Sequence, residues 1–346
     1  FKTIKYVQVF LLMVACLLAL YLTCELTGNI WCGHAAFILT AIHPFLYRYV
    51  NRYYSELFAA FLIVVFTTLF YLCAKHHRRS LFIVTGLTLG ILTLTMAQWY
   101  YISVPCVAYF ALLGLLRPRF RRTYFMGALL FVLCFTAVVL PWKLRNETQF
   151  GRAFISERAG VALDLRSRYV TMTNKENLAS FLYWSRTGDV SNLLNRFLQP
   201  ADYANLIRET GYYRAVLDRA AELEQDNPRA VADKLQFTEA AQRILSHPWG
   251  YVKTLPALTY RGMVDGNISA FNILVHALFW VAALAALRGR RWEEAAIFLP
   301  TAMLVAFNSL ITHNISRYNA TGTVLLVVGL VAGVRVLVLW FRKRKT

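Results

Sequence analysis

Long apolar runs alternate with short polar loops through most of the chain. Runs of this kind predict membrane-spanning helices, because a helix needs roughly 20 mostly apolar residues to cross the hydrocarbon layer of a bilayer. Several runs are shorter than that, and the pair 80–97 and 102–116 also fits a re-entrant hairpin. The pattern predicts about nine spans, at 7–24, 31–48, 55–74, 80–97, 102–116, 123–141, 269–287, 293–312 and 320–341.

One polar segment, residues 142–267, interrupts this pattern and is too long for a simple connector. Its second half predicts helices over 212–225 and 228–246, where apolar residues recur every three or four positions. An interfacial helix is expected after His247-Pro248. The first half, 151–186, mixes Gly, Thr, Ser and Asn with basic residues and predicts irregular structure.

The composition agrees with a membrane protein. Hydrophobic residues make up 58% of the chain, whereas soluble domains contain about 45–50% apolar residues. The sequence therefore predicts an all-α polytopic membrane protein with a mainly helical extracytoplasmic segment. Three parts follow from the pattern: N-terminal membrane helices in 1–141, the extracytoplasmic segment 142–267 and C-terminal membrane helices in 268–346.

The net charge of +19 resides mostly in short loops. Segment 142–267 is nearly balanced, with 17 basic and 14 acidic residues, so a nucleic-acid footprint is not expected. The loop charges lie on one side of the nine-span arrangement and mark it as cytoplasmic. We therefore expect an integral protein of a bacterial inner membrane with a cytoplasmic C-terminus. The loop charges are Lys75, Arg78, Arg79, Arg117, Arg119, Arg121, Arg122, Arg288, Arg290, Arg291, Arg342, Lys343, Arg344 and Lys345.

In this arrangement residue 1 lies on the outer side. A start on that side with no signal peptide and no initiator Met predicts an upstream segment that contains at least one further span. The alternative is a miscounted helix, since some of the spans are short.

Cysteine and histidine spacing gives no positive sign of a metal site. The six cysteines lie in or beside apolar runs, which fits a packing role, and the seven histidines are scattered without a CxxC or HExxH pattern. The sequence does not identify a cofactor. A site for a divalent metal ion, formed by residues that are distant in sequence, stays open.

The stretch Pro141-Trp142-Lys143-Leu144-Arg145-Asn146 stands where an apolar run gives way to the polar segment. Proline is expected to stop the helix, and tryptophan prefers headgroup depth. Lys143 and Arg145 then face water beside the membrane, where a lipid phosphate would lie. The alternative is an interfacial anchor, because many helix ends carry aromatic and basic residues.

Glu56 is the one acidic residue that this arrangement places on the outer side of the membrane half. A carboxylate at that depth is costly unless it is paired or hydrated, which makes Glu56 a candidate catalytic or metal-binding group. The structural alternative is a salt bridge to Arg48 or Arg52, or a charge that stabilises the helix N-terminus. Arg48 is also a candidate substrate-binding cation.

Arg317 and Tyr318 join the last two spans on the same side. A guanidinium can bind a phosphate through two parallel hydrogen bonds, and a neighbouring tyrosine hydroxyl can add a third. The alternative is that Arg317 snorkels towards the headgroups. Arg261 is a further basic candidate near the end of the polar segment.

Several short motifs follow one another along the chain. Taken in order, they resemble the bacterial relatives of the dolichyl-phosphate-mannose-protein mannosyltransferases, which share the GT-C fold with lipid A aminoarabinose transferase. The resemblance spans nearly the whole chain and depends on order and spacing. The motifs are His43-Pro44, Ser55-Glu56-Leu57-Phe58, Gly86-Leu87-Thr88-Leu89-Gly90-Ile91-Leu92-Thr93-Leu94-Thr95, Pro141-Trp142-Lys143-Leu144-Arg145-Asn146 with Phe150-Gly151 and Gly160, His247-Pro248, and Ser316-Arg317-Tyr318.

The resemblance implies a membrane glycosyltransferase that takes a sugar from a polyprenyl-phosphate donor. The sugar passes, on the outer face of the lipid bilayer, to a lipid, glycan or protein acceptor. The catalytic base of the family is an Asp in its first outer loop, which would precede residue 1 here. Glu56 matches a second acidic position, at the start of a span that faces the catalytic cavity in the family. Where the family often has a Lys or Arg after its glycine-rich span, this chain departs with Met96-Ala97-Gln98-Trp99.

Two other functions stay open. A transporter of lipid-linked glycans would also need cations that face a cavity, but it predicts polar residues deep in the spans, where this chain has few besides Arg335. A non-catalytic subunit or scaffold built on a transferase fold would be favoured if an upstream loop lacked a carboxylate.

Overall fold

A computed structural model describes residues 2–52, 54–185, 196, 198–264, 269–312, 314 and 316–343. These residues form helices joined by turns, and no strand occurs among them. In chain order, helices α1 to α16 are Lys2–Thr27, Ile30–Ala41, Pro44–Val50, Glu56–His76, Arg79–Thr95, Trp99–Leu116, Arg121–Phe150, Ala159–Arg168, Asn174–Ser185, Tyr212–Asp226, Arg229–Ser246, Pro248–Met263, Ser269–Arg288, Trp292–Ile311, Ser316–Asn319 and Thr323–Lys343.

The chain divides into two compact units. The first unit contains Phe1–Trp142, Leu274–Leu304 and Ala320–Thr346, and it includes most of the apolar helices. The second unit contains Lys143–Ile273 and Val305–Asn319, so a short stretch from the C-terminal part of the chain joins the polar segment.

Seven described helices are long and apolar enough to cross a membrane, and an eighth span results if one bent pair is counted as a single crossing. Arg79–Thr95 is apolar but shorter, with 17 residues. Over the described residues, the prediction of an all-helical protein with helices able to cross a membrane is therefore confirmed. The count of nine spans stays a prediction.

The predicted span 31–48 is not one continuous helix. It is broken into Ile30–Ala41 and Pro44–Val50, which meet at a bend of 50°. Pro44 lacks an amide hydrogen and disfavours helical geometry at the preceding residue, so the first helix ends and a new one begins. His43 caps the new helix, since its Nδ1 accepts a hydrogen bond from the Phe45 amide at 3.3 Å. The motif His43-Pro44 thus acts as a helix breaker.

Helix α7 does not stop at Pro141, and the prediction that it would was wrong. The helix runs from Arg121 to Phe150 with Pro141 inside it. A proline removes one backbone hydrogen bond, and the residues that follow include good helix formers such as Lys143, Leu144 and Arg145. The helix ends instead before Gly151, whose φ of +68° is the left-handed conformation that glycine adopts easily.

The core of the first unit is rich in aromatic side chains. Phe66, Phe70, Phe82 and Phe110 are fully buried, and the Phe70 and Phe110 rings lie 4.7 Å apart. The buried Tyr124 hydroxyl donates a hydrogen bond of 2.8 Å to the backbone oxygen of Ala74. Aromatic pairs of this kind stabilise packing beyond the area they bury, so these helices have a well-defined mutual arrangement.

In the second unit, the predictions of helices over 212–225 and 228–246 are confirmed by Tyr212–Asp226 and Arg229–Ser246. A helix also begins after His247-Pro248, over Pro248–Met263, with Pro248 in its first turn. The prediction that 151–186 is irregular was wrong.

Residues 151–186 contain two helices, Ala159–Arg168 and Asn174–Ser185. The second begins with a capping box: the Thr173 amide donates to Glu176 Oε2 at 2.7 Å, and the Glu176 amide donates to Thr173 Oγ1 at 3.1 Å. Two amides that the helix itself leaves unbonded are thereby satisfied. The first helix packs against Arg229–Ser246. Tertiary packing therefore outweighs weak local preference here.

The core of the second unit is built around aromatic residues of four helical elements. Tyr169, Met172 and Trp184 pack with Val216 and Leu258, and all five are buried. The Tyr169 ring meets Trp184 edge-on at 6.0 Å and Tyr212 edge-on at 5.6 Å. This core places Arg261, from the last turn of α12, beside buried aromatic rings.

Candidate functional site

Arg261 is held in place by two buried aromatic residues. Its Nη1 donates a hydrogen bond to the Tyr169 hydroxyl at 2.8 Å, and its guanidinium carbon lies 4.6 Å from the centroid of the Trp184 ring. An arginine stacked on an indole keeps its charge while its flat face is fixed by cation–π attraction. The guanidinium is half-buried and oriented, which suits recognition of an anion.

The phenol of Tyr318 lies in a cationic environment. Its electrostatic neighbours include Arg317, which has the strongest effect, followed among the arginines by Arg261 and Arg158. Tyr213 is also among them. Arg158 and Arg317 have exposed side chains, whereas Tyr318 is half-buried. Three arginines within electrostatic range of one tyrosine give this part of the second unit a basic character that suits a phosphate group. We name Arg158, Arg261, Arg317 and Tyr318 the arginine cluster.

A network of buried asparagines fixes the segment that carries Arg317 and Tyr318. The Asn314 Nδ2 donates to the Leu258 backbone oxygen at 2.9 Å, and the Asn319 Nδ2 donates to the Gly262 backbone oxygen at 3.0 Å. The two side chains are joined by a 3.0 Å hydrogen bond from Asn319 Nδ2 to Asn314 Oδ1, and Asn308 Nδ2 donates to Asn319 Oδ1 at 2.8 Å. The network thereby ties α15 to α12, the helix of Arg261.

Gly262 makes room for this network. A Cβ atom built on Gly262 would lie 2.3 Å from Asn319 Nδ2 and 2.4 Å from both Asn314 amide atoms. Such distances are far inside van der Waals contact. The glycine that follows Arg261 is therefore required for the close approach of the asparagine side chains.

Lys143 and Arg145 lie on the last turns of α7, also in the second unit. Arg145 Nη1 donates to Asn146 Oδ1 at 3.0 Å, and Asn146, which is 2% exposed, donates through Nδ2 to the Phe154 backbone oxygen at 2.8 Å. Arg145 is exposed and Lys143 is half-buried. Asn146 thus connects the helix end to the loop that leads to Arg158.

A second set of buried charges supports the same unit. Asp164 is 1% exposed and accepts hydrogen bonds from Arg243 at 2.5 Å and from Gln236 at 3.0 Å. Arg166, fully buried, donates to the Tyr251 backbone oxygen at 2.9 Å. Burial lowers the pKa of Arg166 to about 10, so the group still carries its charge at neutral pH. Sequence reasoning missed this set because it treated the stretch around Asp164 as irregular.

The electrostatics of the neighbouring tyrosines follow from burial. Burial and the nearby carboxylate of Glu176 raise the pKa of Tyr212 to about 12. Burial also raises the pKa of Tyr251, while the neighbouring Arg166 charge acts in the opposite direction. Both phenols are therefore protonated at neutral pH and present neutral hydroxyls to this unit.

Arg48 and Glu56 belong to the first unit. Glu56 is the first residue of α4 and is 7% exposed, while Arg48 lies in the last turn of α3 and is exposed. Within the second unit, the structure brings Arg317 and Tyr318 together with Arg261. Arg158 is the member of the arginine cluster that was not predicted from the sequence, since its sequence context does not differ from that of an ordinary surface arginine.

Among the residues that the structure describes, no group of three or more His, Cys, Asp or Glu side chains is arranged to hold a metal ion. The six cysteines are free thiols, and each is buried or half-buried.

Comparisons with protein families, with curated proteins and with solved structures find no match for this chain.

Proposed function

We propose that this protein is a membrane glycosyltransferase of the GT-C type that uses a polyprenyl-phosphate-linked sugar as its donor. The observation that carries the proposal is the arginine cluster. It joins Arg261, oriented by Tyr169 and Trp184, with its electrostatic neighbours around Tyr318, in a unit whose chain joins directly to apolar helices. A donor with one phosphate and a long apolar tail matches this combination of charge and membrane.

Within this proposal the arginine cluster binds the donor phosphate. Arg261 is oriented by Tyr169 and Trp184, so its guanidinium loses little side-chain entropy on binding. Arg317 and Tyr318 are fixed through the asparagine network. Lys143 and Arg145 in the second unit and Arg48 in the first are further basic residues proposed for substrate binding.

The reaction is a displacement at the anomeric carbon of the sugar. The acceptor hydroxyl oxygen forms the new bond to that carbon, and the bond to the phosphate oxygen breaks, so the electron pair leaves with the lipid phosphate. A phosphate leaving group needs no proton from a general acid, and oriented guanidiniums stabilise its developing charge. The acceptor proton passes to a carboxylate base, and Glu56 is proposed to support catalysis.

The remaining assignments belong to the same proposal. The acceptor is a lipid, glycan or protein on the outer face of a bacterial inner membrane, and the C-terminus lies in the cytoplasm. The charge distribution supports this orientation, since basic residues of short loops favour the cytoplasmic side.

Donor binding tests the proposal directly. The purified chain in nanodiscs is titrated with a polyprenyl-phosphate sugar and, separately, with the corresponding polyprenol. We expect the phosphorylated lipid to bind at least about tenfold more tightly, and Arg261→Lys and Arg317→Lys each to remove most of this difference, because an ammonium cannot form the planar two-point contact.

Arg219→Lys is the matched control. Arg219 pairs with Glu239 and Glu222 on the surface of the same unit, so its replacement should leave donor binding unchanged. Equal affinity for the phosphorylated lipid and the polyprenol, or full phosphate preference in both arginine variants, would contradict the proposed site. Uptake of the lipid-linked sugar into sealed vesicles, without transfer, would favour a transporter instead.

A further inference from the structure

A separate cavity of about 560 Å³ lies in the first unit. It is lined by Leu116 and Arg117, at the end of α6, by Arg290, in the turn after α13, and by Trp292, the first residue of α14. None of these residues takes part in the arginine cluster. The cavity is thus bordered by two cations, one large aromatic ring and one aliphatic side chain.

The backbone at Arg290 is unusual for an arginine. Helix α13 ends in a Schellman motif, in which the Arg291 amide bonds to the Ala286 oxygen at 2.9 Å and the Arg290 amide bonds to the Leu287 oxygen at 3.0 Å. This motif places Arg290 at a φ of +53°, a left-handed position that ordinarily holds glycine. The neighbouring glycine, Gly289, stands one position too early to relieve it. An arginine kept in this conformation at a cavity wall indicates a role for its side chain.

The charges around the cavity favour an anion. Arg117 pairs with Glu293 at 2.7 Å, and Arg291 pairs with Glu294 at 2.7 Å, so both nearby carboxylates are compensated. Arg290 is exposed and has no carboxylate partner among the described residues. Residues 117–122 and 288–294 together contain seven arginines and two glutamates, and they therefore carry a positive potential.

The position of the cavity favours a lipid. Helices α6, α13 and α14, whose ends border it, are all long and apolar enough to cross a membrane. Trp292 begins α14, and tryptophan prefers the depth of the headgroups. Leu116 is 43% exposed beside Arg117, so an apolar surface adjoins the cations. An anionic group attached to an acyl chain meets both requirements at once.

We propose that the cavity lined by Leu116, Arg117, Arg290 and Trp292 binds the phosphodiester headgroup of an anionic phospholipid. Arg290 supplies the guanidinium that contacts the phosphate, Arg117 adds positive potential while it holds Glu293, and Leu116 and Trp292 contact the glycerol and the first acyl carbons. The proposal is independent of the proposed transferase activity, and its measurement is lipid binding.

Arg290→Gly is the decisive variant, because glycine adopts the same backbone conformation and should leave the turn folded. The full chain in a neutral detergent is titrated with short-chain phosphatidylglycerol, short-chain phosphatidylcholine and inorganic phosphate, and binding is measured by native mass spectrometry and thermal stabilisation. We expect the parent to prefer phosphatidylglycerol over phosphatidylcholine at least tenfold, about 1.4 kcal/mol, and Arg290→Gly to abolish the preference.

Arg122→Gln is the charge-matched control. Arg122 is exposed in the same group of arginines but does not line the cavity, so this variant should keep the full preference. The proposal is overturned if Arg290→Gly keeps the preference, or if Arg122→Gln loses it equally, which would indicate general attraction. Stabilisation by inorganic phosphate equal to that by phosphatidylglycerol would assign the cavity to a free anion and overturn the lipid assignment.

Discussion

Asn314 contributes to the second unit through both its backbone conformation and its side chain. It is fully buried, has a φ of +37°, and its amide group contacts Leu258, Ser309 and Asn319. Asparagine tolerates the left-handed region better than most residues, and its amide can both donate and accept. A single residue thereby sets the backbone and joins the segment of Arg317 to α12.

We predict that Asn314→Gly destabilises the protein by about 1–3 kcal/mol, because the backbone stays relaxed while buried partners lose their hydrogen bonds. The measurement is the unfolding midpoint in detergent. Asn205→Gly is the comparison in the same unit and should lower the midpoint less, since Asn205 is exposed where its Nδ2 donates to Glu176 Oε1 at 2.6 Å. An unchanged midpoint for Asn314→Gly would show that the network contributes nothing to stability.

The proposed chemistry leads to a prediction for Glu56. Glu56→Gln keeps the shape of the side chain and removes its charge, so the protein should still fold and insert. Sugar transfer is expected to fall by at least about a hundredfold, the lower range for a positioned acid–base or charge-stabilising group. Turnover of the variant is measured with the phosphorylated donor beside that of the parent protein. Unchanged turnover would leave Glu56 with only a structural role.

Among the features of the helices, the local sequence encodes the N-terminal starts best. The spacing Thr173-Asn174-Lys175-Glu176 is a capping-box pattern, and the structure uses it as one. That pattern was available in the sequence, but the mixed composition of 151–186 obscured it. Pro141 shows the converse, since a strong local signal for a helix end is overridden by the helix formers around it. Local patterns therefore predict capping better than they predict helix length.

The capping box leads to a prediction for α9. Thr173→Ala should cost about 1 kcal/mol and speed hydrogen exchange of amides in the first turn of Asn174–Ser185, because one amide loses its acceptor. Thr171→Ala is the matched control, since Thr171 lies outside the capping box and its exposed hydroxyl donates to the Arg168 backbone oxygen at 2.8 Å. Equal exchange rates in the two variants would argue against a contribution from the capping box.

At the scale of the whole molecule, the apolar pattern predicts the membrane helices because each run is a local property of the chain. The grouping of Val305–Asn319 with Lys143–Ile273 has no such signal. It depends on contacts such as Asn319 with Gly262, which join residues 57 positions apart in sequence. Arg317 and Arg261 were each predicted as separate basic candidates, but only the fold brings both within electrostatic range of Tyr318.

The orientation of the chain in its membrane is the last prediction. Basic residues in short loops favour the cytoplasmic side, and the polar segment carries nearly balanced charge. In a variant without native cysteines, a cysteine at the exposed Thr238 should react with an impermeant maleimide in intact cells, whereas one at the exposed Arg79 should react only after lysis. Both positions must react in detergent, which controls for local shielding. The reverse labelling pattern would place the arginine loops outside, and the proposed donor site would then face the cytoplasm.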